Sequence, residues 1–436
     1  MFDIHQTTRS AVTYGVLLCF FFAVVGLKLR DVIGDAESWL ISKRVVSVDS
    51  YGAKGDGISD DTQAFKDAWE VVCSMTFRPI LKVPGGKTYL IGPVDFGGTC
   101  VSKVTLKILG TIVAPKEPEV WDGLNPRKWL YFHGVDYLSV EGGGLINGMG
   151  EKWWAQSCKV NRTKPCQHAP TAITFHRCND LKVRNLMIRD SQQDHLAFTT
   201  CKGVQVSHLE IIAPHDSPNT DGIHISESTR VEVKNSIVGT GDDCVSIVSN
   251  SSNVRIVNLI CGPGHGISIG SLGKDNSSSH VHDVLIDKAF ISNTENGLRI
   301  KTWQGGSGFV RDVAFRNVWM NSVSNPIIID QYYCDSSVTC PNQTVSIKVE
   351  RISYRSIHGT SATPTAIKFA CSDRFPCEKI ILSDIQLFYP EGNTSAFCWN
   401  AFGFSSGRVH PSPCFPYDDR LLQQNVLSPV SLASVV

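Results

Sequence analysis

The chain lacks an excess of charge of either sign, and it lacks the common motifs for binding zinc or phosphate. Its 436 residues include 41 Lys and Arg against 41 Asp and Glu, so the formal net charge is zero. This balance gives no general case for binding nucleic acid or a membrane surface. No Cys-x-x-Cys pair is present, and no Gly-Lys-Ser/Thr follows the glycine-rich residues 51–57. Attraction for a charged ligand must therefore be local.

A long helical period is also missing from the central region, where an alternating apolar pattern recurs instead. Alternation predicts β-strands, and the runs are rich in Val and Ile, which suit a half-buried sheet. Repetition every 23 to 34 residues predicts a solenoid whose coils bury apolar side chains against each other. We therefore predict an all-β fold, a right-handed parallel β-helix. The runs begin at Leu181, Val204, Val231, Val254, Val284, Val313, Ile347 and Ile380.

One short helix is predicted near the start of the solenoid. It begins near Thr62, with Asp60 or Asp61 as its capping residue, and continues through Val72. Because the end of a solenoid must be covered, we expect this helix to cap its N-terminal end. No low-complexity linker interrupts the chain, which predicts a single domain over residues 45–425.

Cysteine is abundant, with 15 residues in the chain. Without Cys19, which lies in an apolar N-terminal segment, the remaining 14 could form seven disulfides in an oxidising compartment. Cys244 and Cys261 flank the candidate site described below, and Cys178 and Cys201 are spaced to stack on adjacent coils. Short separations suggest the local pairs Cys158–Cys166, Cys334–Cys340, Cys371–Cys377 and Cys398–Cys414.

The N-terminal residues 1–27 are interpreted as a signal peptide, with an uncleaved signal anchor as the alternative. Arg9 precedes an apolar stretch over residues 11–27, and residues 24–26 are a candidate cleavage site. Five Asn-x-Ser/Thr sequons also suit a secreted glycoprotein. They begin at Asn161, Asn250, Asn276, Asn342 and Asn393.

Four short motifs form the candidate site: Asn219-Thr220-Asp221, Gly241-Asp242-Asp243, Gly264-His265-Gly266 and Arg299-Ile300-Lys301. Asp221, Asp243 and His265 are 22 residues apart in turn, which is near the repeat length, so we expect them to stack. Crowded carboxylates raise one pKa, as a glycosidase acid requires. Arg299 and Lys301 share a strand face and could hold substrate carboxylates. A calcium site is the alternative, and the interleaved cations argue against it.

Longer stretches around these motifs resemble the plant polygalacturonases, glycoside hydrolase family 28. They are SPNTDGIHIS (217–226), GTGDDCVSI (239–247), CGPGHGISIGSLG (261–273) and GLRIKTWQGG (297–306). The resemblance implies a right-handed parallel β-helix and metal-free, inverting hydrolysis of α-1,4-linked galacturonan. Inverting carboxylates usually lie about 6.5–9.5 Å apart, and stacking on adjacent coils predicts a closer approach.

The resemblance also implies a role for each matching residue. Asp242 would be the general acid, Asp221 and Asp243 would activate the attacking water, and His265 would support the acid. The substrate-binding residues would be Arg299 and Lys301 for the galacturonate carboxylate, with Asn219 and Tyr333 lining the site. The chain departs from the family pattern at Tyr332, where Asn is common, and in DSQQDH (190–195), where Asp190 and Asp194 add negative charge.

The expected partner is pectin, in the cell wall outside the cell. We expect no metal or other cofactor, no nucleic acid, no stable membrane partner once the signal is cleaved, and a monomer. Two alternatives stay open: a hydrolase of a decorated pectin such as xylogalacturonan, and a catalytically silent pectin-binding wall protein. Endo or exo action is undecided.

Overall fold

The computed structural model describes residues 44–160, 163, 165–336 and 338–416. The predicted signal segment, the Asn161 sequon and residues 417–425 of the predicted domain lie outside these ranges. Within them, no helix is long and apolar enough to cross a membrane.

The described residues form 28 strands and two α-helices, α1 (Thr62–Ser74) and α2 (Glu151–Gln156), with 3-10 turns at Val48–Tyr51, Pro118–Trp121 and Lys274–Asn276. The first half of the strands is β1 Val45–Ser47, β2 Asp56–Asp60, β3 Ile80–Val83, β4 Thr88–Leu90, β5 Val94–Gly97, β6 Thr105–Ile108, β7 Thr111–Val113, β8 Lys128–His133, β9 Ser139–Glu141, β10 Leu145–Asn147, β11 Thr171–His176, β12 Lys182–Arg189, β13 Leu196–Thr199 and β14 Lys202–Ile212. The second half is β15 Ile223–Ser226, β16 Thr229–Gly239, β17 Val245–Ile247, β18 Ser252–Cys261, β19 Ile267–Leu272, β20 Ser278–Ser292, β21 Asn296–Thr302, β22 Ser307–Val323, β23 Asn325–Asp330, β24 Lys348–Ser361, β25 Thr365–Ala370, β26 Cys377–Phe388, β27 Ser395–Trp399 and β28 Ala401–His410.

All ladders between these strands are parallel, and they stack into a β-helix. One sheet, the site sheet, runs in the order β5-β8-β11-β13-β15-β17-β19-β21-β23-β25-β27. The other begins as two ladders, β1-β3-β6-β9 and β2-β4-β7-β10, which both join β12. From β12 onwards, one long strand in each coil takes the place of the two short strands of the earlier coils. The predicted right-handed parallel β-helix with an N-terminal capping helix is confirmed.

A left-handed residue bends each of these long strands. Its φ lies between 49° and 67° on every coil, and it follows residues that pair directly along the ladder. Asn is the commonest residue here because it tolerates this conformation better than most side chains. In addition, Asn258 donates to the side chain of Asn235 one coil away, at 2.9 Å. The bend is at Asn185, His208, Asn235, Asn258, Lys288, Asn317, Ser356, Asp384 and Gly407.

The strand register confirms all but one of the predicted run starts. Val204, Val231, Val254, Val284 and Val313 pair in one continuous file. The next member is Ile352, which pairs with both Val313 and Ile380, so the predicted start at Ile347 was wrong. The cause is an extension at the beginning of β24, where Ile347 and Val349 are also buried, and the left-handed residue Arg351 then shifts the alternation by one position before Ile352.

Helix α1 begins at Thr62, as predicted, and its apolar face is buried. Trp69 and Phe65 contact aromatic rings of the first coils, with ring centroids of Trp69 and Phe96 5.3 Å apart. Asp60 accepts the hydrogen bond from the amide of Thr62 at 2.9 Å, which satisfies one of the free N–H groups at the helix start. Asp61 is buried and instead accepts from the amides of Lys54 and Gly55, so it holds the glycine-rich segment in place.

The described residues form six disulfides, including the four predicted local pairs and Cys244–Cys261 beside the candidate site. The sixth joins Cys73 in α1 to Cys100. The possible seventh bond is not formed, because buried Cys178 and Cys201 are free thiols. The thiol of Cys201 donates to the carbonyl of Phe175 on the preceding coil, and Ser228 makes the equivalent bond one coil later. The two cysteines thus stack on adjacent coils as predicted, and their thiols donate hydrogen bonds to backbone carbonyls instead of forming a disulfide.

Candidate active site

The site sheet brings Asp221, Asp243 and His265 onto three consecutive coils. Ile223, Val245 and Ile267 pair in register, and the three site residues each lie two positions earlier. The backbone is paired here as well, since Gly222 N–H donates to the carbonyl of Asp243 at 2.9 Å. Adjacent strands lie about 4.8 Å apart, so the side chains form one patch.

This patch lies in an open cleft of about 670 Å³. All eight residues that the sequence predicted for the site line this cleft. They are Asn219, Asp221, Asp242, Asp243, His265, Arg299, Lys301 and Tyr333.

Asp243 is buried in a network of cationic donors. Its Oδ1 accepts from Arg299 Nη2 and from Ser268 Oγ, both at 2.7 Å, and its Oδ2 accepts from Lys301 Nζ at 2.9 Å. Burial would raise the pKa of Asp243, but the charges of Lys301 and Arg299 outweigh it and hold the pKa below its usual range. Asp243 is therefore an ionised carboxylate at neutral pH.

Arg299 and Lys301 point from β21 to the same face, as the alternation predicted, and both are buried beside Asp243. They are therefore not the free cations that the sequence suggested, because their charge is partly used inside the protein. Lys301 Nζ also lies 5.3 Å from the ring centre of Tyr333, whose ring packs edge-on against Trp303. Tyr333 thus forms part of the wall around the cations.

Asp242 faces the cleft and contacts His265. The Nδ1 of His265 lies 3.0 Å from Asp242 Oδ1, and Asn219 Nδ2 donates to Asp242 Oδ2 at 3.5 Å. Burial would lower the pKa of His265, but the hydrogen bond and the charge of Asp242, together with Glu295, raise it above its ordinary value. The imidazolium form of His265 donates to both carboxylates, since its Nε2 lies 3.3 Å from Glu295.

The pKa of Asp221 is shifted in the opposite direction from that of Asp243. Its pKa is raised, first by burial and then by the charge of Asp242, against the opposite effect of His224. The Nδ1 of His224 is 3.9 Å from Asp221 Oδ2 and 2.8 Å from Ser246 Oγ. Neighbouring coils thus hold one carboxyl group with a raised pKa and one with a lowered pKa, which is the separation that acid–base catalysis uses.

A metal ion does not suit this donor set, although potential ligand atoms of Asp242, Asp243 and His265 lie within 4.8 Å of one another. Both oxygens of Asp243 are engaged by Lys301, Arg299 and Ser268. The raised pKa of His265 means that a metal would have to displace a proton as well. These contacts weaken the calcium-site alternative.

A family model described as "Glycosyl hydrolases family 28" matches residues 73–407, which is more than half of the chain. The chain belongs to this family. It is 55% identical over 394 residues to a probable polygalacturonase of Arabidopsis thaliana, covering 90% of this chain and 89% of the relative. It is also 50% identical over 377 residues to a polygalacturonase of Persea americana, covering 84% and 81%.

Solved structures of similar fold include two pectin-degrading enzymes by name. An endo-xylogalacturonan hydrolase from Aspergillus tubingensis matches with a TM-score of 0.70 at 23% identity, covering 83% of this chain and 100% of that one. A polygalacturonase from Erwinia carotovora matches with a TM-score of 0.67 at 22% identity, covering 80% and 94%. At these identities the likeness bears on the fold alone, and it agrees with the β-helix described above.

Sequence reasoning missed several residues of this family 28 site, although a signal for some was present. His224, Ser246, Ser268 and Arg299 pair along one file of the site sheet. Each lies between two buried Ile, Val or Leu residues, so period two alone places them outward with the catalytic candidates. Glu295 carried no such signal, because it lies in the turn before β21.

Two loops meet at the cleft of this family 28 chain. Lys159 and Asp335 form an ion pair, and both line the cleft. Each lies next to a cysteine of a small disulfide loop, Cys158–Cys166 or Cys334–Cys340. The disulfides limit how far these loops can move, so the ion pair joins two constrained segments.

Proposed function

We propose that this family 28 chain is a secreted polygalacturonase that hydrolyses α-1,4-galacturonosyl linkages of pectin, the homogalacturonan of the plant cell wall, with inversion. The observation that carries the proposal is the cleft itself, where three carboxylates, an imidazolium and two cations meet. Relatives that are 42–55% identical and named polygalacturonases support the same substrate.

The acid step is assigned to Asp242. The Asp242–His265 pair holds a proton beside the cleft, and Asp242 delivers it to the leaving glycosidic oxygen. His265 gives up its Nδ1 proton to Asp242 in this step and is left as the neutral imidazole, whose Nε2–H still donates to Glu295. Asn219 donates to the other oxygen of Asp242 and limits its rotation.

The attacking water is assigned to Asp221 and Asp243. Asp243 is kept ionised by its cations and orients the water, whereas Asp221, with its raised pKa, is the stronger base and takes the proton. Arg299 and Lys301 are fixed by Asp243 and present their remaining N–H groups to the carboxylate of a galacturonosyl unit. Tyr333 forms the wall beside that carboxylate.

The same proposal covers the organisation of the chain. Residues 1–27 act as a cleaved signal, and residues 45–425 form one catalytic domain that works as a monomer outside the cell. Six disulfides support an oxidising compartment. The sequons at Asn250, Asn276, Asn342 and Asn393 are all exposed, so each could carry a glycan.

The first prediction is that the purified protein releases reducing ends from polygalacturonate in the presence of a chelator. Proton NMR of the first-formed product should show the β anomer, because a single displacement by water inverts the α linkage. Initial α product would indicate a covalent intermediate on Asp221 or Asp243. Loss of activity on chelation, restored by calcium, would contradict the roles given to the carboxylates.

The same assay separates the two alternative functions. Faster release of reducing ends from xylogalacturonan than from polygalacturonate would favour a decorated pectin as the substrate. No release from either polymer would favour a silent binding protein.

A second prediction concerns the charge of the substrate. Fully methyl-esterified pectin should be cut at least about tenfold more slowly than polygalacturonate, because an ester cannot form charge-assisted hydrogen bonds with Arg299 and Lys301. The measurement is initial reducing-end release at equal uronic acid concentration, with the de-esterified form of the same pectin as control. Equal rates would remove the assigned role of these cations in substrate binding.

A further inference from the structure

The file of acidic residues in the cleft extends one coil further than the catalytic candidates. Leu196 of β13 pairs with Ile223 of β15, so Asp194, two residues earlier, holds the position equivalent to Asp221. The backbone confirms this placement, because His195 N–H donates to the carbonyl of Asp221 at 2.8 Å. Asp194, Asp221 and Asp243 therefore lie on successive coils about 4.8 Å apart, and all three line the cleft.

Asp194 lacks the cationic partners that Asp243 has. Among the described residues, no Lys or Arg forms an ion pair with it, and its side chain accepts only a long hydrogen bond, 3.4 Å, from Thr171 Oγ1 on β11. The cations Arg299 and Lys301 lie on β21, four strands further along the site sheet, and both engage Asp243. One end of the cleft therefore has the carboxyl group of Asp194 without an ion-pair partner, and the other end has the cations Arg299 and Lys301.

The other charged groups around Asp194 are acidic or already engaged. Asp221 and Asp242 face it from the next two coils, and His224 on β15 interacts mainly with Asp221 and Ser246. Across the cleft, Lys159 pairs with Asp335, and Arg127 contacts His168 at 2.5 Å. Arg127 keeps its positive charge, because His168 is not an anion and burial lowers its pKa. Burial would lower the pKa of His224, but Asp221 and Asp194 raise it. Among the described residues neither cation is within ion-pair distance of Asp194, so a sugar carboxylate placed beside Asp194 would still meet a second negative charge directly.

We propose that Asp194 is a specificity-determining residue that selects, at the sugar position beside it, for an uncharged galacturonosyl unit, meaning one whose carboxyl group is methyl-esterified. The inference rests on the proposed function and adds a division of the cleft. An ionised sugar is required beside Arg299 and Lys301, and a neutral sugar is preferred beside Asp194. Partially esterified pectin, with both kinds of unit, fits this arrangement better than either extreme.

The selection depends on pH because Asp194 titrates in a useful range. Burial, followed by the charge of Asp221, raises the pKa of Asp194 to about 7. Below that pH the protonated carboxyl group can donate a hydrogen bond and tolerates an acidic sugar, whereas above it the carboxylate repels one. The galacturonate carboxyl group is itself ionised across this range. The preference for an esterified unit should therefore grow as pH rises through about 7.

The test compares kcat/KM for hexagalacturonate and for partially methyl-esterified hexagalacturonate. For the wild type, we expect the ratio of esterified to unesterified kcat/KM to rise about tenfold between pH 5 and pH 8, the size of effect that a one-unit difference in pKa represents. Mass spectrometry of the products should find esters enriched at one fixed position relative to the cut. In Asp194→Asn the ratio should be independent of pH and the enrichment lost, whereas Asp194→Glu should keep both.

Asp190→Asn is the matched control, because it removes the same charge from the same segment but lines a neighbouring cavity rather than this cleft. It should behave as the wild type. A wild-type ratio that does not change with pH would overturn the proposal without any variant, and so would equal ratios in the wild type and Asp194→Asn. Binding of the two hexamers to an Asp242→Asn protein repeats the comparison without turnover. If the wild type cuts neither hexamer nor polygalacturonate, the proposed function itself fails, which is a separate result.

Discussion

An Asp242→Asn variant is expected to hydrolyse polygalacturonate about 100- to 10,000-fold more slowly than the wild type, the usual range for loss of a general acid. The substitution is nearly isosteric but removes the proton that protonates the leaving oxygen. The fold should be retained, because Asp242 faces the cleft and its contacts with His265 and Asn219 are at the surface of the site. The measurement is kcat on polygalacturonate, with thermal unfolding in parallel.

Asp122→Asn is a suitable control for this loss, since Asp122 is an exposed acid outside the cleft. It should leave kcat unchanged. An Asp242→Asn variant that retained most of the wild-type rate would remove Asp242 as the acid. Binding offers a further check, because the variant should bind oligogalacturonate at least as well as the wild type, with one negative charge fewer in the cleft.

Much of the site could be predicted from the sequence because a β-helix converts spacing along the chain into position in space. The 22-residue intervals from Asp221 to Asp243 and to His265 match one coil, so the three residues stack. Strand alternation then places Arg299 and Lys301 on one face. Both inferences use only the period of the coil and the period of the strand.

Other features could not be predicted, because they depend on loops or on the partner that a side chain chooses. The register position predicted at Ile347 is held by Ile352, because β24 begins with an extra stretch and the left-handed residue Arg351 shifts the alternation by one position. The ion pair between Lys159 and Asp335 joins loops 176 residues apart, and neither loop repeats a coil pattern. A motif also does not reveal whether a cation faces the substrate or a carboxylate of the protein.

The pairing of Arg299 and Lys301 with Asp243 changes what a substitution there should do. From the sequence, removing Lys301 would only weaken binding of an acidic sugar. In the structure Lys301 and Asp243 are both buried, so Lys301→Met leaves a buried carboxylate with one cation fewer. Breaking a buried ion pair on one side typically costs about 3–5 kcal/mol, because the remaining charge is desolvated without full compensation.

We therefore expect Lys301→Met to lower the free energy of unfolding by about 3 kcal/mol at pH 7, as well as to abolish most activity. The pKa of Asp243 in the folded protein is depressed, so its contribution to stability is present above the ordinary Asp pKa and is lost as pH falls through the folded value. The difference between wild type and variant should consequently be complete at pH 7 and smaller at pH 3. Urea unfolding followed by tryptophan fluorescence at the two pH values measures this.

Lys234→Met is the matched control, since Lys234 forms an exposed ion pair with Glu232 at 3.2 Å. Exposed pairs contribute about 0–1 kcal/mol, so this variant should unfold close to the wild type at both pH values. The double variant Asp243→Asn with Lys301→Met separates charge from packing. If the cost comes from the interaction of the two charges, the double variant should lose less stability at pH 7 than the sum of the losses in Lys301→Met and Asp243→Asn, while activity stays lost. If the two losses simply add, the charge pair does not explain the cost, and Lys301 acts mainly by packing against Tyr333.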